Sequence, residues 1–285
     1  LYSNKLLEFE FENYSGAFDE NGNTKIKLSN VKATCKVSYM GNTGGFQAEA
    51  TIYGLGIELI SALSAKGIGP YTNQLSQIGM TITADGTMVF SGDIYSCYAN
   101  MNAIPDTAII LSAVAGNSMA RTVAAPFTFK GKQQYKDVIE SICKANGYTL
   151  RAVGIDGKFS NNISLAGSPL AQVKAACNEA GFQLAINGKE VTVWQPGVTI
   201  YDDYPVVSAE HGLIGYPVFT QSGITFQTQF STYISQGRNV KLITDLPHAS
   251  GICYIFAVDH YLSSWMKNGP WLSVAQAVVR QDVKQ

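Results

Sequence analysis

Three observations predict a mainly β protein with a small α+β unit set between two β-rich regions. Alternation of apolar and polar residues with period two recurs through residues 1–125 and again through 197–285. Residues 126–196 switch to helical spacing bounded by cap residues. Turn dipeptides such as Asp85-Gly86 and Asn187-Gly188 punctuate the apolar runs. The expected domains are therefore 1–125, 126–196 and 197–285.

In the first region Phe9-Glu10-Phe11-Glu12, Ile26-Lys27-Leu28-Ser29 with Val31, and Phe46 to Tyr53 alternate as half-buried strands do. Met40-Gly41-Asn42-Thr43-Gly44-Gly45 is turn chemistry ahead of the last of these. Ile57, Ile60 and Leu63 have helical spacing, and Lys66-Gly67 is the expected stop. Strands resume at 79–84, 88–101 and 107–115, the first two joined by the hairpin signal Asp85-Gly86.

In the middle region Tyr135, Val138, Ile139, Ile142 and Cys143 mark one face of a helix over 132–146, stopped by Gly147. Thr149–Val153 reads as a short strand. Ser168-Pro169 opens a second helix with serine at the N-cap and proline at the first helical position, and Gly181 ends it. Residues 182–186 and 191–194 flank Asn187-Gly188, a type I′ hairpin signature. Helix, strand, helix and hairpin make a unit with its own core.

The last region offers strands at 205–209, 218–220, 224–230, 240–244, 252–261 and 271–279; the last is compatible with strand or helix. A similar rhythm in the two β-rich regions suggests duplicated barrels.

Composition narrows the function. Of 285 residues 46% are hydrophobic and 11% aromatic, which excludes a disordered chain. Lys plus Arg number 20 and Asp plus Glu 21, with no basic run, which excludes a basic nucleic-acid binder. The longest apolar stretches, Ile52–Leu63 and Ala108–Gly116, fall short of the ~20 residues that span a bilayer. Only 14% of residues are charged, against about 25% in an ordinary soluble domain. Interface cores are poor in charge and rich in aromatics. The 15 tyrosines and 13 phenylalanines fit a protein that lives in an assembly. Cys35, Cys97, Cys143, Cys177 and Cys253 are odd in number and widely separated, as expected of buried free thiols in a reducing compartment. Leu1-Tyr2-Ser3-Asn4-Lys5 has no secretory character, so synthesis inside the cell is expected.

The chain has no nucleotide-binding glycine pattern and no Gly-x-Ser-x-Gly elbow, and Gly41–Gly45 reads as a loop rather than a phosphate cradle. His211, His248 and His260 include two with a preceding carboxylate, Glu210 and Asp259. Neighbours on a strand point to opposite faces, so neither pair is a dyad by itself. Structural histidines are the plainer reading. Asp202-Asp203 with Glu210 could hold Ca²⁺, but a solvated turn accounts for the pair with less. Trp265 and Trp271 bracket a loop; they either stack on sugars or anchor the loop to the core or to a neighbouring subunit, the latter preferred. These readings name no catalytic residue, no cofactor and no metal site.

The most specific signal is an ordered series of short segments. It runs His211-Gly212-Leu213-Ile214-Gly215-Tyr216-Pro217, Ser222-Gly223-Ile224-Thr225-Phe226, then Tyr233 to Leu242 through Gly237, then Gly251-Ile252-Cys253-Tyr254, Val258 to Ser264 and Gly269-Pro270-Trp271. This order resembles the C-terminal half of baseplate hub proteins from long-tailed bacteriophages. Ile26 to Val31, Ile52-Tyr53-Gly54-Leu55, Val89 to Ile94 and Pro105-Asp106 resemble their N-terminal half, so the likeness covers nearly the whole chain. One departure is Phe230-Ser231-Thr232, where many relatives carry Phe-Asn-Pro. The resemblance implies two β-barrel-like tube domains plus the inserted helix–strand–helix–hairpin unit. It implies a homotrimer forming a pseudo-hexameric ring that joins the hexameric tail tube to the trimeric spike and lines the DNA channel. The implied partners are the tail tube or tube-initiator protein, the spike and other baseplate proteins. The implied place is the virion tail, assembled in the host cytoplasm, with no enzymatic role. A tail-associated cell-wall hydrolase using Asp202, Glu210, His211 or His260, or a glycan-binding β-protein using Trp265 and Trp271, are the alternatives.

Overall fold

The computed structural model describes residues 5–40, 45–64, 78–102 and 105–280. The expected turn at Gly41 to Gly44, the helix stop at Lys66-Gly67 and the first four residues lie outside the described residues. The first region supplies β1 (Leu7–Asn13), β2 (Lys25–Leu28), β3 (Ala33–Met40), β4 (Gly45–Tyr53), α1 (Ile57–Ser64), β5 (Ile78–Ala84), β6 (Thr87–Asn100), β7 (Ala108–Val114) and α2 (Asn117–Arg121). The middle region supplies β8 (Phe127–Gln134), α3 (Tyr135–Ala145), β9 (Thr149–Val153), β10 (Phe159–Leu165), α4 (Pro169–Ala180), β11 (Gln183–Asn187) and β12 (Glu190–Trp194). The last supplies β13 (Val206–Val207), a 3₁₀ turn at Ala209–His211, β14 (Leu213–Thr220), β15 (Gly223–Gln229), β16 (Asn239–Leu242), β17 (Gly251–Ser264) and β18 (Leu272–Val279).

Alternation places the strands. Leu7, Phe9 and Phe11 of β1 are fully buried, while Lys25 of β2 pairs with Glu10 and Glu12 on the other face and Lys27 pairs with Glu8. The β5–β6 turn has positive φ at both Asp85 (46°) and Gly86 (80°), as a two-residue primed hairpin requires. The ambiguous last segment is a strand: Ser273, Ala275 and Ala277 alternate inward, a period that no helix gives.

Two local expectations shift. The helix expected from 132 begins at Tyr135, because β8 runs to Gln134 and pairs with β10 through Phe159↔Gln134. Its apolar stripe of Val138, Ile139, Ile142 and Cys143 is buried as expected. The β11–β12 loop is Gly188-Lys189, not Asn187-Gly188. Positive φ falls on Gly188 (58°), and Asn187 closes the strand pair with Glu190. At α4 the cap is as expected: the Ser168 hydroxyl accepts from the Ala171 N–H at 3.3 Å, and Gly181 follows the last turn.

Thirteen strands belong to one sheet, ordered β14-β15-β18-β17-β3-β4-β7-β6-β5-β1-β2, with β16 attached at β17 and β13 paired to β16. Strand β17 is its spine. β18 runs along one side. On the other side β16 pairs with residues 251–254 and β3 with residues 258–264. The β3–β17 ladder therefore fuses the two β-rich regions into a single sheet. Hydrogen bonding closes neither region: among the described residues the path ends at β14 and at β2. The sheet curls instead, bringing β1 back against β17. Strands β11, β12 and β9 form a separate three-stranded sheet, with β9 parallel to β12, and α3 and α4 pack beside it. One continuous apolar core runs through all three regions.

Candidate functional surfaces

The middle unit is clamped to both neighbours by polar contacts. At its hairpin tip, Asn187 Oδ1 accepts from the Ser91 N–H at 2.9 Å, and the Gly188 N–H donates to the Ser91 carbonyl at 2.9 Å. At the other end of β12 the fully buried Trp194 donates from Nε1 to the Tyr254 hydroxyl of β17 at 2.8 Å. A cavity of about 170 Å³ lies where the three regions meet. Its wall includes Tyr39, Arg151, Glu190, Tyr201, Gln236 and His260.

Of the candidate acid–base residues, this wall takes in only His260; Asp202, Glu210 and His211 lie elsewhere. His260 is 2% exposed, with Nδ1 2.7 Å from the Ser273 hydroxyl and edge contacts to Tyr39 and Phe230. Burial pulls its pKa down to about 3, so it is a neutral core side chain at physiological pH. Asp259 points to the opposite face and meets Lys36 at 3.6 Å. His211 is exposed at the end of the 3₁₀ turn, its Nδ1 2.8 Å from the Ser208 hydroxyl that caps that turn. His248 is exposed in a loop with φ 63°. The structure brings none of these together.

Asp203 has a structural partner. Arg238 Nη1 donates to both of its oxygens at 2.9 Å, and the guanidinium lies 3.8 Å from the centre of the Tyr201 ring. Asp202 is exposed beside it. Among the described residues no three His, Cys, Asp or Glu side chains gather as a metal set. The five cysteines are buried and unpaired. Burial pushes the Cys97, Cys143 and Cys177 thiols up to about 12 and Cys253 to about 11, which keeps them protonated and inert.

The two loop tryptophans do not act as a pair. Trp271 packs edge-on against Phe230, ring centres 5.3 Å apart, and so anchors the loop to the core. Trp265 is 61% exposed at φ 54°. After Phe230 the chain turns at Ser231, whose carbonyl accepts from the Ile234 N–H and whose hydroxyl accepts from the Tyr233 N–H.

Two surfaces remain, and periodicity did not single them out. One is the free edge at β14. No charged residue occurs from Gly212 to Gly237, and Ile214, Tyr216, Val218 and Phe219 are all exposed. The pairing with β15 is irregular between Ile214 and Val218, so Gly215, Tyr216 and Pro217 form a bulge in which Gly215 and Tyr216 are exposed and Pro217 is buried. Gly215 supplies the positive φ (68°) that the bulge needs, and Tyr216 is 70% exposed on it. The other surface is a groove of about 400 Å³ over the joined sheet, walled by Lys36, Glu49, Tyr98, Ile110, Ser112 and Tyr261. It crosses the β3–β17 joint. The signals were present: the uncharged run after Gly212, and the alternation of Ala33, Cys35, Val37 and Tyr39 that makes β3 a strand.

Comparison with known proteins agrees with a tail component. The chain adopts the fold of a prophage MuSo2 43 kDa tail protein from Shewanella oneidensis, at 8% identity and TM-score 0.65, over 97% of each chain. It also matches a tail protein from Neisseria meningitidis MC58, at 8% identity and TM-score 0.66, over 95% of this chain and 96% of that one. A third match is the E. coli c3393 protein, a type VI secretion component with structural similarity to T4 bacteriophage tail proteins gp27 and gp5. That match has 10% identity and TM-score 0.63, covering 88% of this chain and 74% of that chain. No curated protein matches by sequence. Among the described residues no helix is long and apolar enough to cross a membrane. The family model described as Baseplate hub gp41 matches residues 76–265, two thirds of the chain, so this protein belongs to the baseplate hub gp41 family of bacteriophage tail structural proteins.

Proposed function

We propose that the chain is the central hub of a phage baseplate. Three copies form a pseudo-hexameric ring that joins the hexameric tail tube to the trimeric spike and surrounds the channel for DNA. Each copy contributes two tube modules, residues 1–125 and 197–285, with residues 126–196 as an inserted unit between them. The observation that carries this reading is the β3–β17 ladder, which couples the two β-rich regions edge to edge within one sheet. A rigid pair of β modules per chain is the geometry that lets a threefold ring present six similar faces. Family membership and the likeness to prophage tail proteins support the same role. So does the structural similarity of the c3393 protein to gp27 and gp5. With a formal net charge of −1 the chain gives passing DNA little to adhere to. The partners are the tube or tube-initiator protein, the spike and other baseplate proteins; assembly takes place in the host cytoplasm. The role is structural, without catalysis or cofactor. Native mass measurement with electron microscopy tests it. A trimeric ring with a central opening is expected. A stable monomer at micromolar concentration, with no tail protein that trimerises it, would overturn the proposal.

A further inference from the structure

Among the described residues, the buried side-chain nitrogens and oxygens left without a hydrogen-bond partner all fall within one short segment, residues 235–239. They are Ser235 Oγ, Gln236 Nε2 and Oε1, Arg238 Nε and Asn239 Oδ1. A buried polar group without a partner costs free energy, so such a concentration has a physical cause to be found. The segment cannot turn to make partners of its own, because its backbone is pinned on both sides. The Gly237 N–H donates to the Ile255 carbonyl at 2.9 Å, and the Gly237 carbonyl accepts from the Ile200 N–H at 2.9 Å. Gly237 has φ 78°, and a Cβ there would come within 2.9 Å of Ile200 Cγ1.

Two of these residues, Ser235 and Gln236, line the cavity of about 170 Å³ where the three regions meet. Gln236 is 4% exposed, so its amide is out of reach of bulk solvent. That amide offers donors and an acceptor together, and water, itself both donor and acceptor, satisfies either. Cavities with an apolar lining stay dry, whereas polar ones with room enough hold water. One water takes roughly 10–15 Å³ of such volume, so several fit. Asn187, Thr192 and Thr232 add further polar groups to the wall. The charged groups in it are one of each sign, Arg151 and Glu190, and each is engaged within the chain. Arg151 Nη2 donates to the Ile200 carbonyl at 2.7 Å, and Glu190 Oε1 accepts from the Thr192 hydroxyl at 3.2 Å. The wall therefore selects no ion. Arg151, Glu190 and Thr232 are exposed, which gives solvent a way in.

We propose that this cavity is a water site built into the joint: ordered waters bind the Gln236 amide and the Ser235 hydroxyl and bridge them to the β12 side of the wall at Glu190 and Thr192. The middle unit is then joined to the last region by a wet polar seam as well as by the direct Trp194–Tyr254 bond. A high-resolution crystal structure and one variant test it. In the wild type, water density is expected within about 2.7–3.2 Å of both Gln236 amide atoms. In Gln236→Met, a side chain of like length with no such polar atoms, that water should be gone and the melting temperature lower by about 2–4 °C. The sign of the shift is diagnostic. An amide with no partner at all is a liability, so replacing it would leave the melting temperature unchanged or raise it. Either of those results would overturn the proposal. So would a wild-type crystal with no water at the amide, or with an organic molecule or a neighbouring chain's side chain in its place.

Discussion

At the residue scale, His260 shows how a side chain in a functional-looking position can be structural. Its ring fills space between Tyr39 and Phe230, and its Nδ1 is hydrogen-bonded to the Ser273 hydroxyl. Protonation there would bury a charge among aromatic rings. With a folded pKa of about 3 against an ordinary 6.5, stability is full above about pH 6.5 and falls as the pH drops toward 3. At pH 5 the loss from this one group is about 2 kcal/mol. Chemical denaturation at pH 7.5 and pH 5 should show that loss in the wild type. His260→Gln, starting from a lower stability, should show a flatter dependence over the same range; an unchanged slope would refute the assignment. The residue type was legible in the sequence, but its neutrality was not, because burial depends on strands far apart in the chain.

At the element scale, the hairpin β11–β12 was legible and its turn was not. Asn187-Gly188 reads as the two-residue loop of a type I′ turn, yet tertiary contact moves the loop one residue on. The reason is Ser91: its N–H takes the Asn187 side chain and its carbonyl takes the Gly188 N–H, so the tip serves as a dock. Asn187→Ala leaves that Ser91 N–H without its acceptor and should cost about 1–2 kcal/mol in urea unfolding. A cost near zero would show that the hairpin tip adds nothing to the joint. Helix α4 behaved otherwise. Ser168, Pro169 and Gly181 set its ends because capping is local chemistry, complete within a few residues. The β8–β10 pair went unread for the opposite reason. β8 is mostly exposed, with no buried alternation to see, and its partner is some thirty residues on.

At the scale of the whole molecule, the scarcity of charge and the uncharged β14 edge belong together. An assembly held by neutral surfaces should be indifferent to salt, since at 1 M the screening length falls to about 3 Å and weakens only ionic contacts. The proposed ring is therefore expected to keep its mass by light scattering from 0.1 to 1 M NaCl. Dissociation at high salt would point to ionic interfaces and away from β14. The alternating strands and the capped helices were written in the chain itself, because each depends on residues near one another in sequence. The fusion of two β-rich regions through β3 and β17 and the curl that stops short of closing a barrel were settled only by folding. Those features arise from pairing between segments more than 200 residues apart, where many registers satisfy the same alternation and packing selects one.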